Sequence, residues 1–171
     1  MKSILSRLCL RKGSNKLSGY IPGSANIKID DVIETYFKKR EWYYQKDVRE
    51  DVIAYSLLFD GDNSHLVVRV YVHHDIAIYR IVCQLGVKLL EDVAEKGMIE
   101  INRYNQSSRV VCGCISPQGY IAFWLGRNID GNTFSEHAFE ADLAMCMTAA
   151  DDTTAEIYQK SHEVDNKDLM L

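Results

Sequence analysis

The sequence predicts an α+β fold, with an antiparallel sheet of about five to six strands flanked by helices. Apolar residues recur with a helical period in three stretches, and with a period of two in the stretches between them. Short turns rich in Gly, Asp, Asn and Pro separate the strand-like stretches, as expected for hairpins. The predicted order of elements is α-β-β-β(-β)-α-β-β-α.

The first half of the chain predicts one helix and a meander of strands. The helix begins near residue 29, and one apolar stripe runs along it. The members of the stripe are Ile29, Val32, Ile33, Tyr36 and Phe37. Strands are predicted over 42–47, 51–59, 65–73 and 76–83, with a turn at 60–64. In strand 65–73, alternation places Leu66, Val68, Val70 and Val72 on one face and Val67, Arg69, Tyr71 and His73 on the other.

The second half predicts a helix, a hairpin and a second helix. Helical spacing covers 87–105, and strands 109–115 and 120–126 follow. They are joined by Ser-Pro-Gln-Gly, in which Pro117 suits the second position of a type I or II turn. The last helix is predicted over 134–162, and the polar segment 149–154 is a candidate break in it.

The chain has 171 residues, which suits one domain with a sizeable core. The segment 18–26 contains the Gly, Pro and Ser typical of a linker. We therefore divide the chain into a basic N-terminal tail at 1–22, an α+β domain at 23–163 and a C-terminal tail at 164–171.

Charge is distributed unevenly. Residues 1–22 carry five cations and no acid; the whole chain carries −4 and this arm +5, so residues 23–171 carry −9. An acidic body is a poor partner for a phosphate backbone, so no nucleic acid is expected there. The basic arm is interpreted as a solvated tail, with contact to a membrane or nucleic acid as the alternative.

The sequence favours a cytoplasmic protein. No apolar run approaches the roughly 18 residues that cross a bilayer. The start of the chain lacks a secretory pattern, because Arg7 interrupts its short apolar run. Five cysteines at irregular positions do not resemble a disulfide framework, and reduced thiols are the simplest interpretation.

The Cys112–Cys114 pair raises the question of a metal or redox site. Alternate residues of a strand share a face with Cα atoms roughly 6.6 Å apart, too far for two sulfurs on one zinc ion without bending the strand. We therefore expect thiols within a sheet. A thiol-based enzyme or redox sensor using Cys83, Cys112, Cys114 or Cys146 is the alternative function.

Other chemistries lack their motifs. The chain has no phosphate-binding loop, dinucleotide fingerprint, nucleophile elbow or zinc-protease helix. His73 and His74 are expected on opposite faces of a strand end, where they cannot share a metal. No catalytic, cofactor-binding or metal-ligating residue is predicted.

The run Ile99–Gly126 resembles the central signature of the YbjN family of bacterial proteins. In that pattern a helix ends in an acidic-x-Asn-Arg-x-Asn segment, followed by a strand, a turn with Gly and an aromatic strand. The matching positions are Glu100, Asn102, Arg103, Asn105, Gly113 and Gly119. An upstream helix and aromatic stretch, Val32–Tyr44, is similar to the opening of the family.

The resemblance implies a fold like that of the type III secretion chaperones, small acidic dimers that hold partner polypeptides. It covers roughly residues 27–160 and supplies no catalytic residue. The function that it implies is a non-catalytic, protein-binding or chaperone-like sensory transduction regulator, acting on another protein.

One sheet face is a candidate partner-binding surface. Arg69, Tyr71, Tyr79 and Trp124 are predicted to form an aromatic and arginine-containing patch of the kind that anchors partner proteins. The alternative is that helices cover both faces and the tyrosines pack in the core.

A homodimer is expected through the helix predicted at 87–105. Its apolar residues extend beyond one stripe, and Leu90, Val93 and Ala94 are the candidate interface residues. The alternative is that the N-terminal segment folds back over this helix through Ile4, Leu5, Leu8 and Leu10.

Overall fold

The computed structural model describes residues 9–10, 27–63, 65–129 and 134–162. The helices are α1 (Ile27–Lys39), α2 (Ala94–Ser107) and α3 (Glu136–His162). The strands are β1 (Cys9–Leu10), β2 (Gln45–Arg49), β3 (Val52–Asp60), β4 (His65–His73), β5 (Ile78–Lys88), β6 (Cys112–Ile115) and β7 (Tyr120–Asn128). The predicted boundaries 1–22 and 164–171 fall largely or wholly outside the described residues.

The described strands form one open antiparallel sheet. β1 and β2 both pair with β3, at opposite ends of the edge that does not face β4. The sheet is therefore six positions wide and continues as β3-β4-β5-β7-β6. This arrangement confirms the predicted α+β class and the predicted order of elements.

The three described α-helices pack on one face of the sheet. In β4, Leu66, Val68, Val70 and Val72 are fully buried, as their alternation predicts. α1 contributes Phe37, whose ring lies 5.9 Å from Tyr55 of β3. α2 contributes Tyr104, whose ring lies 5.0 Å from Phe123 of β7. α3 crosses β5 and β7, so the core lies between this face and the helices.

The prediction of a helix over 87–105 is wrong at its start. β5 continues to Lys88, which pairs with Tyr120, and the Leu89 amide donates to the Gly119 carbonyl at 2.9 Å. A 3₁₀ turn at Glu91–Val93 then leads into α2 at Ala94. Pairing with β7 satisfies the backbone groups that a helix would otherwise use.

The short strand predicted over 42–47 begins later than expected, at Gln45. Trp42 and Tyr44 lie before or at its boundary and pack against the core. The ring of Trp42 lies 4.8 Å from that of Phe59. These aromatic residues close the end of the core beside α1.

The last helix has no break at 149–154, because α3 is continuous from Glu136 to His162. Asp151 lies in this polar segment and is buried. Its carboxylate accepts the backbone amides of Asp62 and Asn63 at 2.9 and 3.1 Å. A tertiary partner therefore accounts for the polar residue inside the helix.

Candidate protein-binding surface

The open face is the sheet surface opposite the three helices. Residues that face each other in antiparallel register share a face, so the pairing defines its members. One cross-strand row consists of Ser56, Arg69, Val82, Trp124 and Cys112. The adjoining row consists of Ala54, Tyr71, Arg80 and Gly126.

Side-chain contacts link these rows. The guanidinium carbon of Arg80 lies 5.2 Å from the centre of the Trp124 ring, a cation–π contact. Arg69 donates from Nη1 to Gln84 Oε1 at 3.1 Å. The rings of Tyr71 and His73 lie 6.4 Å apart along β4. The surface is thus an ordered set of arginine, aromatic and aliphatic groups.

The exposure of these residues distinguishes the two faces. In β4 every residue on the helix side is buried, whereas Val67, Arg69, Tyr71 and His73 are all half-buried. On β3, Leu58 leaves 50% of its surface exposed. Most side chains on this face are therefore only partly covered by their neighbours, and no described helix lies over them.

The placement of Tyr79 in the partner-binding patch is wrong. Tyr79 pairs with Val72, which puts it on the helix side, and it is 3% exposed. Its hydroxyl donates to Asp142 of α3, which also accepts two hydrogen bonds from Arg127 at 3.0 and 3.1 Å. Burial and the Asp142 carboxylate raise the pKa of Tyr79.

The alternation of apolar residues in β5 indicates that Tyr79 belongs in the core. Tyr79, Ile81, Cys83 and Leu85 form a two-residue apolar series that belongs in the core. The intervening positions, Arg80 and Val82, then fall on the open face. Arg80 was missed because the strand was predicted without assigning its faces.

The thiols occupy both faces. Cys112 and Cys114 share a face of the strand, as expected; that face is the open face, and Cys114 is exposed. Cys83 of β5 and Cys146 of α3 are fully buried. Burial, and then the neighbouring Cys146, raises the pKa of Cys83, while burial and then Cys112 raises the pKa of Cys114.

The three candidate dimer residues differ in exposure. Leu90 is 58% exposed, whereas Val93 and Ala94 are half-buried. Val93 packs against the core. Farther along α2, Met98 and Ile99 are exposed by 57% and 47%. The alternative, in which the N-terminal segment folds over α2, does not hold for Leu10, because β1 lies at the sheet edge opposite β6 and α2. Ile4, Leu5 and Leu8 lie outside the described residues.

Asn105 of the family-like motif has a structural contact. Its carboxamide donates to the Gly113 carbonyl at 3.0 Å and accepts the Gly113 amide at 2.7 Å. Gly113 also lies under Ile101 and Phe123, where an added Cβ would be 3.0 and 3.2 Å from their side chains. The motif therefore joins α2 to edge strand β6.

A polar cluster under α1 was not predicted from the sequence. Glu34 accepts from Lys46 at 2.7 Å and from Tyr44 at 3.2 Å, and the Tyr55 hydroxyl donates to Asp30 at 3.3 Å. His74 Nε2 lies 3.1 Å from Asp30 Oδ2, so the cluster also includes His74. Burial raises the pKa of Asp30, whereas Lys46 holds the pKa of Glu34 low against the opposing effect of burial.

Comparisons of the chain with protein-family models, with curated proteins and with solved structures found no match. In the described part of the chain, no three or more His, Cys, Asp and Glu side chains are grouped so that they could hold a metal ion. The described helices include none with the length and apolarity required to cross a membrane.

Proposed function

We propose that the chain is a non-catalytic bacterial protein of the YbjN type, which binds another protein as a chaperone-like regulator in the cytoplasm. One observation carries the proposal: the open face presents Arg69, Tyr71 and Trp124 on a sheet surface that no described helix covers. The motif resemblance around Asn105 and the acidic body support the same class.

The composition of the open face suits protein recognition. Tyr, Trp and Arg are the residue types that most often contribute strongly to protein interfaces. Tyr71 and Trp124 are half-buried, so their rings are held in place by neighbours while part of each remains accessible. Val82 lies between Arg69 and Trp124 in the same row and supplies apolar surface.

The thiol-based alternative has less support. A nucleophilic or redox-sensing cysteine needs thiolate character, which a lowered pKa provides. The pKa values of Cys83 and Cys114 are raised instead. Slow labelling of Cys83 and Cys146 in the native protein, with fast labelling in denaturant, would agree with a packing role.

Site-specific photo-crosslinking tests the proposal. A photoreactive phenylalanine replaces Tyr71 in the native host, and Tyr43, which is 46% exposed outside the open face, is replaced as the matched control. We expect a protein adduct at position 71 and none at 43. Tyr71→Ser with Trp124→Ser should abolish capture of the same protein while thermal unfolding stays cooperative. No adduct at position 71, or undiminished capture by the double variant, would contradict the proposal.

We further propose that the protein forms a homodimer through the α2 side, with Leu90 as an interface residue together with Met98 and Ile99. These three side chains are exposed and apolar, and a two-fold contact is the commonest way to cover such a surface. Leu90→Asp or Ile99→Asp should yield monomers in sedimentation. Tyr43→Asp is the control. A monomer mass for the parent protein across micromolar concentrations would contradict this assembly.

A further inference from the structure

The open face has a charge opposite to that of the whole chain. Over β4, β5, β7 and β6 its described residues include Arg69 and Arg80 and no carboxylate. The chain as a whole carries −4. Among the residues that the structure describes, acidic side chains on this face occur only toward the β2 edge and at the end of β3, where Asp47 and Asp60 pair with Arg49 and His65.

The two arginines differ from other arginines of the protein in their partners. Among the described residues, neither Arg69 nor Arg80 forms an ion pair, whereas Arg40, Arg49, Arg103 and Arg127 each pair with a carboxylate. Arg69 contacts Gln84 through one nitrogen, and Arg80 lies over the Trp124 ring. A stacked guanidinium keeps its in-plane N–H groups directed outward, where they can bind a carboxylate through two hydrogen bonds.

Apolar side chains adjoin the two cations, which are diagonal neighbours on β4 and β5. Arg69 lies opposite Val82, and Arg80 is the next-but-one residue before Val82 on β5. Val67 precedes Arg69 by two positions on the same face, and Leu58 lies beside Val67 on β3. A partner that complements this surface needs both carboxylates and apolar side chains at strand-like spacing.

We propose, on the basis of the proposed function above, that the open face binds an acidic polypeptide segment in which carboxylates alternate with apolar residues. Arg69 and Arg80 bind the carboxylates, and Tyr71, Val82 and Trp124 contact the apolar side chains. A nucleic acid strand fits less well, because two cations neutralise only about two phosphates on a chain that is acidic overall.

Fluorescence anisotropy with a short synthetic peptide in which glutamate and valine alternate tests this proposal. The full chain should bind the peptide, and added salt should weaken binding. Arg69→Gln and Arg80→Gln should each weaken it by about tenfold, because each removes a charge-assisted hydrogen bond. Arg103→Gln, on α2 away from this face, is the matched control and should bind like the parent. Circular dichroism verifies that each variant is folded.

Four outcomes would overturn the inference. The first is equal binding of a lysine–valine peptide, and the second is preferential binding of oligothymidylate. The third is undiminished binding of the glutamate peptide by Arg69→Gln and Arg80→Gln. The fourth is that the parent protein does not bind the peptide but self-associates, and that Arg69→Gln loses this self-association. The last would assign the face to a second copy. Crosslinking at position 71 together with no binding of the glutamate peptide would overturn only the inference that the partner is acidic, and would leave the proposed function intact.

Discussion

The side chain of Asn105 takes the place of a backbone hydrogen-bonding partner of Gly113. Its carboxamide satisfies both main-chain groups of Gly113, as a neighbouring strand would. β6 is the last strand of the described sheet, and exposed strand edges tend to pair with other chains. Asn105 therefore both fastens α2 to the sheet and occupies the bonding positions of Gly113 at its edge.

Asn105→Ala should lower the free energy of unfolding by about 1–3 kcal/mol, because it leaves the Gly113 amide and carbonyl without these partners. Asn102→Ala is the matched control, since Asn102 is exposed on the same helix. That control should change stability by no more than about 0.5 kcal/mol. Urea denaturation of the three proteins measures the difference, and equal effects of the two substitutions would contradict the role of Asn105.

Gly97 is the second residue with a specific steric role. A Cβ added there would lie 2.3 Å from Leu89 Cδ1, and Leu89 is 1% exposed. Helix propensity alone favours Ala over Gly by about 1 kcal/mol, but overpacking of a core typically costs about 1–3 kcal/mol.

Gly97→Ala should therefore destabilise the protein by up to about 2 kcal/mol, although Ala is the better helix former. Gly86→Ala is the control, because an added Cβ there meets nothing within 4 Å. Thermal unfolding should show a lower midpoint for the first variant and an unchanged or raised midpoint for the second. A stabilised Gly97→Ala protein would show that Leu89 moves without cost.

At the scale of whole elements, α3 connects parts of the sheet that are distant in sequence. It contacts β4, β5 and β7, and its buried side chains include Phe139, Leu143, Met147 and Ile157. Asp151 extends this contact to the β3–β4 turn, with hydrogen bonds to two backbone amides. The polar segment of α3 is thus an anchor for a hairpin.

Asp151→Ala should destabilise the protein by about 1.5–3 kcal/mol, since each lost hydrogen bond had a charged acceptor and the two amides lose their partners. Asp152→Ala, at the exposed neighbouring position, is the matched control. Hydrogen exchange should show faster exchange at the Asp62 and Asn63 amides in the first variant only. Unchanged protection of those amides would contradict the anchoring role.

At the scale of the whole molecule, four tyrosines make stability depend on alkaline pH. Burial raises the pKa values of Tyr36, Tyr55 and Tyr79, and raises that of Tyr44 to about 12. Unfolded tyrosines ionise near pH 10. Above that pH the unfolded chain has released protons that the native state retains, so unfolding becomes more favourable. The stabilisation is complete below about pH 10 and is lost as the pH rises toward the native values.

Above pH 10 the free energy of unfolding should fall by up to about 1.4 kcal/mol per pH unit for each such tyrosine. Phenolate absorbance should show a late phase that coincides with loss of circular dichroism. Tyr55→Phe should reduce the slope of stability against pH by about one proton. An unchanged slope in that variant, or full phenolate absorbance while the fold persists, would contradict this pH dependence.

Local patterns in the sequence were sufficient for the α+β class and the order of elements. The two-residue alternation of β4 and the apolar stripe of α1 reflect side-chain directions that each element sets by itself. The same local rule placed Arg69 and Tyr71 on the β4 face opposite the aliphatic row, and Cys112 and Cys114 on a shared face.

Pairing between distant segments decided the rest. The β5–β7 pairing places Arg80 over Trp124 and extends β5 where the apolar spacing had predicted helix. The position of α3 buries Tyr79 beside Asp142 and gives Asp151 its partners in the β3–β4 turn. Such contacts depend on which surfaces meet, and side-chain periodicity within one segment carries no information about a partner tens of residues away.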